Sequence, residues 1–223
     1  MPNEHPYRSR LYVAAQQLNV VLDDTQVAAL LAYIEALQRW NRTYNLTALR
    51  DPEQMLIQHV FDSLAIVPSF HRVLDENTGK ARIVDVGSGA GLPGVVLAVT
   101  QADWNTTCVD AVEKKMAFVR QMSGALRLPH LQAVHGRVET LEPLGANIVV
   151  SRAFASLVDF ATLAGRHAAP GGVLAAMKGH EPQEEIITLE QQTDWRVSHI
   201  EPLFVPELNA QRCLVWLRRQ GTP

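Results

Sequence analysis

Residues 81–94 read Ala81-Arg82-Ile83-Val84-Asp85-Val86-Gly87-Ser88-Gly89-Ala90-Gly91-Leu92-Pro93-Gly94. A short β-type run passes straight into a glycine-rich loop, and the loop into an apolar run at 93–100. Glycine lets a backbone take φ > 0 and come close to a ligand. A glycine loop between a strand and a helix N-terminus is a cradle for a nucleotide-type cofactor. The stretch therefore predicts an α/β fold built on a parallel sheet, with the cofactor at the end of the first strand.

The spacing narrows the cofactor. A dinucleotide loop reads G-x-G-x-x-G, and its third glycine would stand where this chain has Leu92. No G-x-x-x-x-G-K-[ST] occurs either, which excludes a P-loop. What remains is D-x-G-x-G-x-G, with Asp85, Gly87, Gly89 and Gly91 as candidate cofactor-binding residues. An acid at Asp85 suits a ligand with a cationic amine, whereas it would repel a pyrophosphate. S-adenosylmethionine (SAM) is such a ligand. Asp110 ends the next apolar run, 19 residues beyond Gly91. In a βαβ unit that places an acid where it can accept from ribose hydroxyls. It can equally cap the helix starting near Val112.

From residue 80 onward strand-like and helix-like runs alternate. The strands are expected at 81–86, 104–110, 131–135, 146–151 and 172–178, and the helices at 93–100, 113–126, 156–168 and 182–191. Alternation at these lengths means βαβ units, a mostly parallel sheet and helices on both faces. Runs 195–204 and 211–219 lack a helix between them and should pair antiparallel at one edge. The class is a Rossmann-like, SAM-dependent methyltransferase α/β fold of seven strands, behind a small helical module. The module is expected at 1–78 and the methyltransferase domain at 79–223, with Asp75–Gly79 as linker. Asp24 or Thr25 can cap a helix carrying Val27, Leu30, Leu31, Ile34 and Leu37 at helical period. Asp51-Pro52-Glu53 is a helix start, and the run from Met55 should end before Pro68.

Composition bounds the rest. The 223 residues are 47% hydrophobic, enough for one full α/β core. No apolar stretch is long enough to span a membrane, and the N-terminal residues lack a signal pattern, so a cytoplasmic location is expected. Cys108 and Cys213 both fall in β-type runs and read as buried thiols of a reducing compartment. Net charge is −3, but residues 181–207 hold seven acids against Arg196 alone. Residues 112–137 are the reverse, with Lys114, Lys115, Arg120, Arg127 and Arg137 against Glu113. A local basic face for RNA, or merely a solvated helix face, follows from that. The histidines show no metal-ligand spacing, so no metal is expected. No long apolar seam is evident, and a monomer is the default.

Several further stretches become recognisable together: Arg39–Thr47 (RWNRTYNLT), His59–Ser63 (HVFDS), the glycine loop through Gly94, Gly136–Glu139 (GRVE), Ser151–Ala155 (SRAFA) and Lys178-Gly179. On these the chain resembles the bacterial small-subunit ribosomal RNA guanine-N7 methyltransferases, the glucose-inhibited division protein B family, from about residue 35 to the C-terminus. The resemblance implies SAM as cofactor and 16S rRNA, naked or within the small subunit, as partner. It places SAM contacts on Gly87, Leu92, Val138, Glu139 and Arg152. Leu92 would pack on the adenosine and Val138-Glu139 would hold the adenine, although Glu139 also suits the first turn of a short helix. It also implies that the His59–Ser63 helix closes over the cofactor end of the sheet.

The residues after the fourth strand usually face the methyl acceptor in this fold. Here they are Ser151-Arg152-Ala153-Phe154, with no [DN]-P-P-[FYW] for exocyclic amines and no cysteine for ring carbons. Guanine N7 has an in-plane lone pair and no proton to lose, so it needs geometry and desolvation but no general base. Arg152 is the candidate catalytic residue, holding the SAM carboxylate, a phosphate or guanine O6. Phe154 can stack on a flipped base or sit in the core. Lys178 can contact RNA phosphate or snorkel. His59, Asp62 and Ser63 are not a hydrolase triad, since no G-x-S-x-G elbow exists; a local His59–Asp62 hydrogen bond is expected instead. The rival readings are a methyltransferase for small molecules, a SAM-binding protein without transfer, and a nicotinamide oxidoreductase.

Overall fold

The computed structural model describes residues 5–74, 80–152 and 154–221. The expected linker at 75–79, and Ala153 of the Ser-Arg-Ala-Phe-Ala stretch, lie outside the described residues.

The alternating half builds β1 (Arg82–Val86), β2 (Asn105–Asp110), β3 (Leu131–His135), β4 (Ala146–Ser151), β5 (Ala168–Lys178), β6 (Trp195–Pro202) and β7 (Cys213–Arg219). These form one sheet in the order β3-β2-β1-β4-β5-β7-β6. β1 to β5 pair in parallel, and β7 runs antiparallel to both β5 and β6. The expected terminal hairpin is present. A dinucleotide fold continues in parallel on that side, and the antiparallel β7 wedged between β5 and β6 breaks that order. The strand order reverses at β1, which pairs β2 on one side and β4 on the other. Ligands of open α/β sheets bind at such a reversal, beyond the carboxyl ends of the strands.

Ahead of the sheet come α1 (Arg8–Gln17), α2 (Asp24–Tyr44), α3 (Pro52–Met55), α4 (Asp62–Leu64) and α5 (Val67–Val73). Between strands lie α6 (Gly94–Thr100), α7 (Glu113–Ala125), α8 (Leu157–Ala164) and α9 (Gln183–Gln192). The apolar stripe of α2 is buried as its period requires, but its N-cap is Asp23, not Asp24 or Thr25. Asp23 has extended backbone angles and its carboxylate accepts from Gln26 N at 2.7 Å, closing a capping box. Asp51 caps α3 with Pro52 in the first turn. The run from Met55 ends at Leu64, before Pro68 as expected, and Pro68 sits in the first turn of a new helix, α5, where a missing N–H costs nothing. The helix expected over 156–168 ends at Ala164 and gives way to a 3-10 turn, Gly165–His167. Gly165 lies under Trp195, whose Nε1 would stand 2.8 Å from an added Cβ.

Between α3 and α4, residues Leu56–Phe61 wind as a π-helix. Such turns are rare, and hydrophobic periodicity does not announce them.

Successive strand residues point to opposite faces. Ile83 and Cys108 join an apolar layer that also holds Leu30, Tyr33, Phe61 and Phe118, so the early helices and the sheet share one core. Val84, Val86 and Val109 pack with α8 on the other face. Both cysteines are buried and unbonded. No described helix is long and apolar enough to cross a membrane.

The charge asymmetry is largely consumed internally. Acids of 181–207 pair with Arg10, Arg72, Lys178 and Arg219. In the basic stretch, Glu113 meets both Arg120 and His135. Surface pairs of this kind add little stability, but they lower the charge left for a partner.

Candidate active site at the carboxyl edge of the sheet

Two cavities open on this edge. The first, about 270 Å³, is lined by Val86, Gly87, Asp110, Val138, Glu139 and Phe154 among others. The second, about 430 Å³, is lined by Thr47, Gln58, His59, Arg152, Lys178 and Arg212 among others. Arg152 and Phe154, both just past β4, assign one residue to each. A cavity of about 300 Å³ lies elsewhere, between α5 and the β6–β7 hairpin. On its wall Glu201 is bonded to Arg72 and Trp216.

The glycine loop behaves as two halves. Gly87 and Gly89 have φ of +66° and +60°, and a Cβ on either would meet nothing within 4 Å. Open space above a left-handed backbone is what a close ligand approach needs. Gly91 and Leu92 are instead part of the packing. A Cβ on Gly91 would stand 2.4 Å from Val95, and Leu92 is buried in the core and absent from the first cavity's lining. The contact of Leu92 with adenosine stays what the resemblance implies. Tyr33 of α2 donates its hydroxyl to Ala90 O at 2.9 Å, fastening the loop from the early helices.

The Asp85 side chain is fully buried, is not among the residues lining the first cavity, and accepts from Gly94 N at 2.8 Å. Its Oδ1 has no partner among the described residues. Burial pushes the carboxyl up to about 7, against the pull of the Gly94 N–H and the Arg152 charge. It braces the start of α6 rather than facing the cavity. Gly94 must be glycine there, since a Cβ would stand 2.3 Å from Cys108 Sγ.

Asp110 is not the N-cap of α7, a position that Val112 holds, but its carboxylate fastens two backbone N–H groups. One carboxylate oxygen accepts from Val112 N at 2.8 Å and the other from Gly89 N at 2.9 Å. It thus shapes the loop and the entry to α7 while lining the first cavity. Lys115 lies 3.7 Å from it and Lys114 is exposed. Val138 and Glu139 form a 3-10 turn on the cavity's far wall. Phe154 packs on Phe160 at 5.2 Å between ring centres and lines this first cavity, not the second.

The second cavity is cationic. Arg152 donates to Gln58 O at 2.9 Å and lies 3.6 Å from Asp62. Arg212, just before β7, donates to the other oxygen of Asp62 at 3.2 Å. Lys178 is held by Glu185 at 2.8 Å. His59 meets Thr47 Oγ1 at 2.9 Å and Arg152 at 3.3 Å, and the expected His59–Asp62 bond is not made. Its pKa falls to about 3 because burial and the Arg152 charge both disfavour imidazolium. Ser63 donates to His59 O, an intrahelical bond. Asn41 holds the Thr47–Leu49 wall in place, accepting from Thr47 N and donating to Leu49 O.

The family model for GidB, rRNA small subunit methyltransferase G, matches residues 26–215. The chain belongs to this family. Proteins named Ribosomal RNA small subunit methyltransferase G are similar along nearly its whole length. That of Bordetella petrii is 59% identical over 214 residues, 96% of this chain and 84% of that one. That of Bordetella avium is 57% identical over 223 residues, 100% and 98% of the two chains. That of Albidiferax ferrireducens is 45% identical over 212 residues, 92% and 93%. Among solved structures, a SAM dependent methyltransferase from Aquifex aeolicus superposes with a TM-score of 0.56 at 17% identity, covering 78% of this chain and 96% of that one. A 16S rRNA (adenine(1408)-N(1))-methyltransferase from Catenulisporales acidiphilia gives 0.52 at 16% identity, covering 70% and 92%. These two show the fold of this GidB-family chain.

Sequence reasoning passed over Tyr33, Gln58 and Arg212 of this GidB-family site. Arg212 had a usable signal: it ends the connection into the last strand, and antiparallel pairing brings that point to Lys178. Tyr33 and Gln58 had none, because their roles depend on how the early helices dock.

Proposed function

We propose that the chain transfers the methyl group of SAM to N7 of a guanine in 16S rRNA. The observation that carries this reading is the pair of cavities on one sheet edge, in a chain of the rRNA small subunit methyltransferase G family. The names of the relatives favour ribosomal RNA over a small-molecule acceptor. SAM, when bound, supplies an electrophilic sulfonium methyl. The cradle fits it: open positive-φ glycines at Gly87 and Gly89, and beside them an acid. Asp110 already accepts two N–H bonds, but an ionised carboxylate has lone pairs left for ribose hydroxyls. Val138 and Glu139 flank the adenine, and Phe154 gives the first cavity an aromatic wall.

In this reading Arg152, Lys178 and Arg212 neutralise phosphate and hold the guanine's O6 side in the second cavity. The described residues lining it offer no competent base. His59 is barely basic, and the Asp62 carboxylate is engaged by two arginines. A cavity rich in cations and poor in proton acceptors suits an atom that attacks through a lone pair and releases no proton. The segment 1–78 serves as cofactor cover and RNA guide for a catalytic unit at 79–223, supported by Thr47, Gln58 and His59 on the cavity wall. The protein acts as a cytoplasmic monomer.

The test is methyl transfer from labelled SAM to small ribosomal subunits lacking the modification and to 16S RNA stripped of protein, with the labelled nucleotide mapped. Label at N7 of one guanine is expected. Label in another base or atom, or in small metabolites only, refutes the reading. Comparing the two substrates distinguishes naked RNA from the assembled subunit.

A further inference from the structure

Asp62 stands apart in the second cavity. Its side chain is 3% exposed, yet it carries a carboxylate whose two oxygens address different arginines. Oδ1 accepts from Arg212 Nε at 3.2 Å, and Oδ2 lies 3.6 Å from Arg152 Nη1. The three residues come from α4, the end of β4 and the hairpin connection into β7, far apart in sequence. The two arginine side chains are about one-quarter exposed, and they line the cavity together with the almost fully buried acid. Burying an acid is unfavourable, and its carboxyl is pushed up by desolvation while both arginines pull it back. A buried ion pair is weak evidence for stability, since apolar residues of similar volume do as well. Its geometry therefore needs another reason.

We infer that Asp62 is a positioning residue, which sets the distance and orientation of Arg152 and Arg212 so that both present their free N–H groups to one anionic or O6-bearing face of the RNA acceptor. Arg212 meets Asp62 through Nε, on the edge that also carries Nη2, and its Nη1 reaches the carbonyl of neighbouring Gln211, so the N–H groups left for a ligand are those at the far end of the fork, pointing away from the acid. Arg152 is steadied on its other side by Gln58 O. A fixed planar fork loses less entropy on binding than a free one. The groups facing Asp62 are Arg152 and Arg212, with His59 one turn away held neutral by burial.

The inference rests on the second cavity being the RNA acceptor site. Its test is a double-mutant cycle on KM for the RNA substrate, in the full-length enzyme with saturating SAM. Asp62→Asn keeps the shape and removes the charge; Arg212→Ala removes one client. Each single variant should raise KM for RNA by roughly thirtyfold, with kcat changed much less. In the double variant the rise in KM should fall well short of the product of the two single effects, the part of the Asp62→Asn effect that acts through Arg212 being already lost and only the part through Arg152 remaining. A residue that merely supports the fold would instead multiply the two effects and lower the melting temperature in step. Multiplied effects, or an unchanged KM in Asp62→Asn, overturn the inference. Should the asparagine chain fail to fold, the same cycle with Asp62→Glu, which moves the charge by one methylene, decides by the same criterion. Failure of the wild-type enzyme to label any RNA would sink the functional reading itself, a result distinct from either outcome of the cycle.

Discussion

Replacing Asp85 by asparagine should stabilise the protein at neutral and alkaline pH. Asp85 is fully buried, with one oxygen bonded to Gly94 N and the other without a partner among the described residues. Its folded-state pKa is raised to about 7, against roughly 3.9 in an unfolded chain. A raised acid favours the protonated native state. Its stabilising contribution is complete below about pH 4, declines as pH rises, and is lost above about pH 7. The span of roughly three units corresponds to ~4 kcal/mol, accruing at about 1.4 kcal/mol per pH unit. The asparagine side chain cannot ionise and keeps the Gly94 bond, so the variant escapes this decline. Urea unfolding of both chains at pH 5, 6, 7 and 8 should show the variant's advantage growing by roughly 2–3 kcal/mol between pH 5 and 7 and then levelling. A difference that stays constant, or that runs the other way with pH, would refute the raised pKa. Calorimetry adds a functional arm. Because the carboxylate faces α6 rather than the first cavity, SAM affinity should match wild type, and a large loss would mark Asp85 as a direct ligand.

Arg152→Ala removes a cavity-lining cation while Asp62 keeps Arg212 as partner, so methyl transfer should fall by ~10²-fold or more with a much smaller loss of unfolding free energy; equal losses would make Arg152 structural. Gly94→Ala drives a methyl to 2.3 Å from Cys108 Sγ and should cost about 1–3 kcal/mol, with part of that recovered in Gly94→Ala/Cys108→Ala; no recovery would place the strain elsewhere. Tyr33→Phe leaves the buried Ala90 carbonyl without its donor, which should cost about 1–3 kcal/mol in thermal unfolding and weaken SAM binding measured by titration; unchanged binding would mean the loop holds its shape without α2.

Much of the fold was legible because its signals are local. The β1–glycine loop–α6 junction, Asp51 ahead of Pro52 and the helix-free gap between 195–204 and 211–219 each depend on neighbouring residues. The misreadings occurred where a distant contact overrode a local pattern. The helix begun at Leu157 stops at Ala164, where Gly165 accommodates Trp195 of another strand. That Asp85 is buried and bonded to Gly94 N was likewise not readable from its place in the loop pattern. The charge runs were legible as composition, but the pairs that Glu113 and the acids of 181–207 make within the fold were not.

The succession of strands and helices, the cofactor cradle and the family all follow from the residue string alone, because hydrophobic period, glycine and capping residues act over a few positions. It took the folded chain to show which acid braces the loop, which acid lies between two arginines, and that helices from the first third of the chain wall the second cavity. Those facts depend on burial and on contacts between residues far apart along the chain, such as Arg212 with Asp62 and Tyr33 with Ala90. No local pattern of residues encodes that proximity.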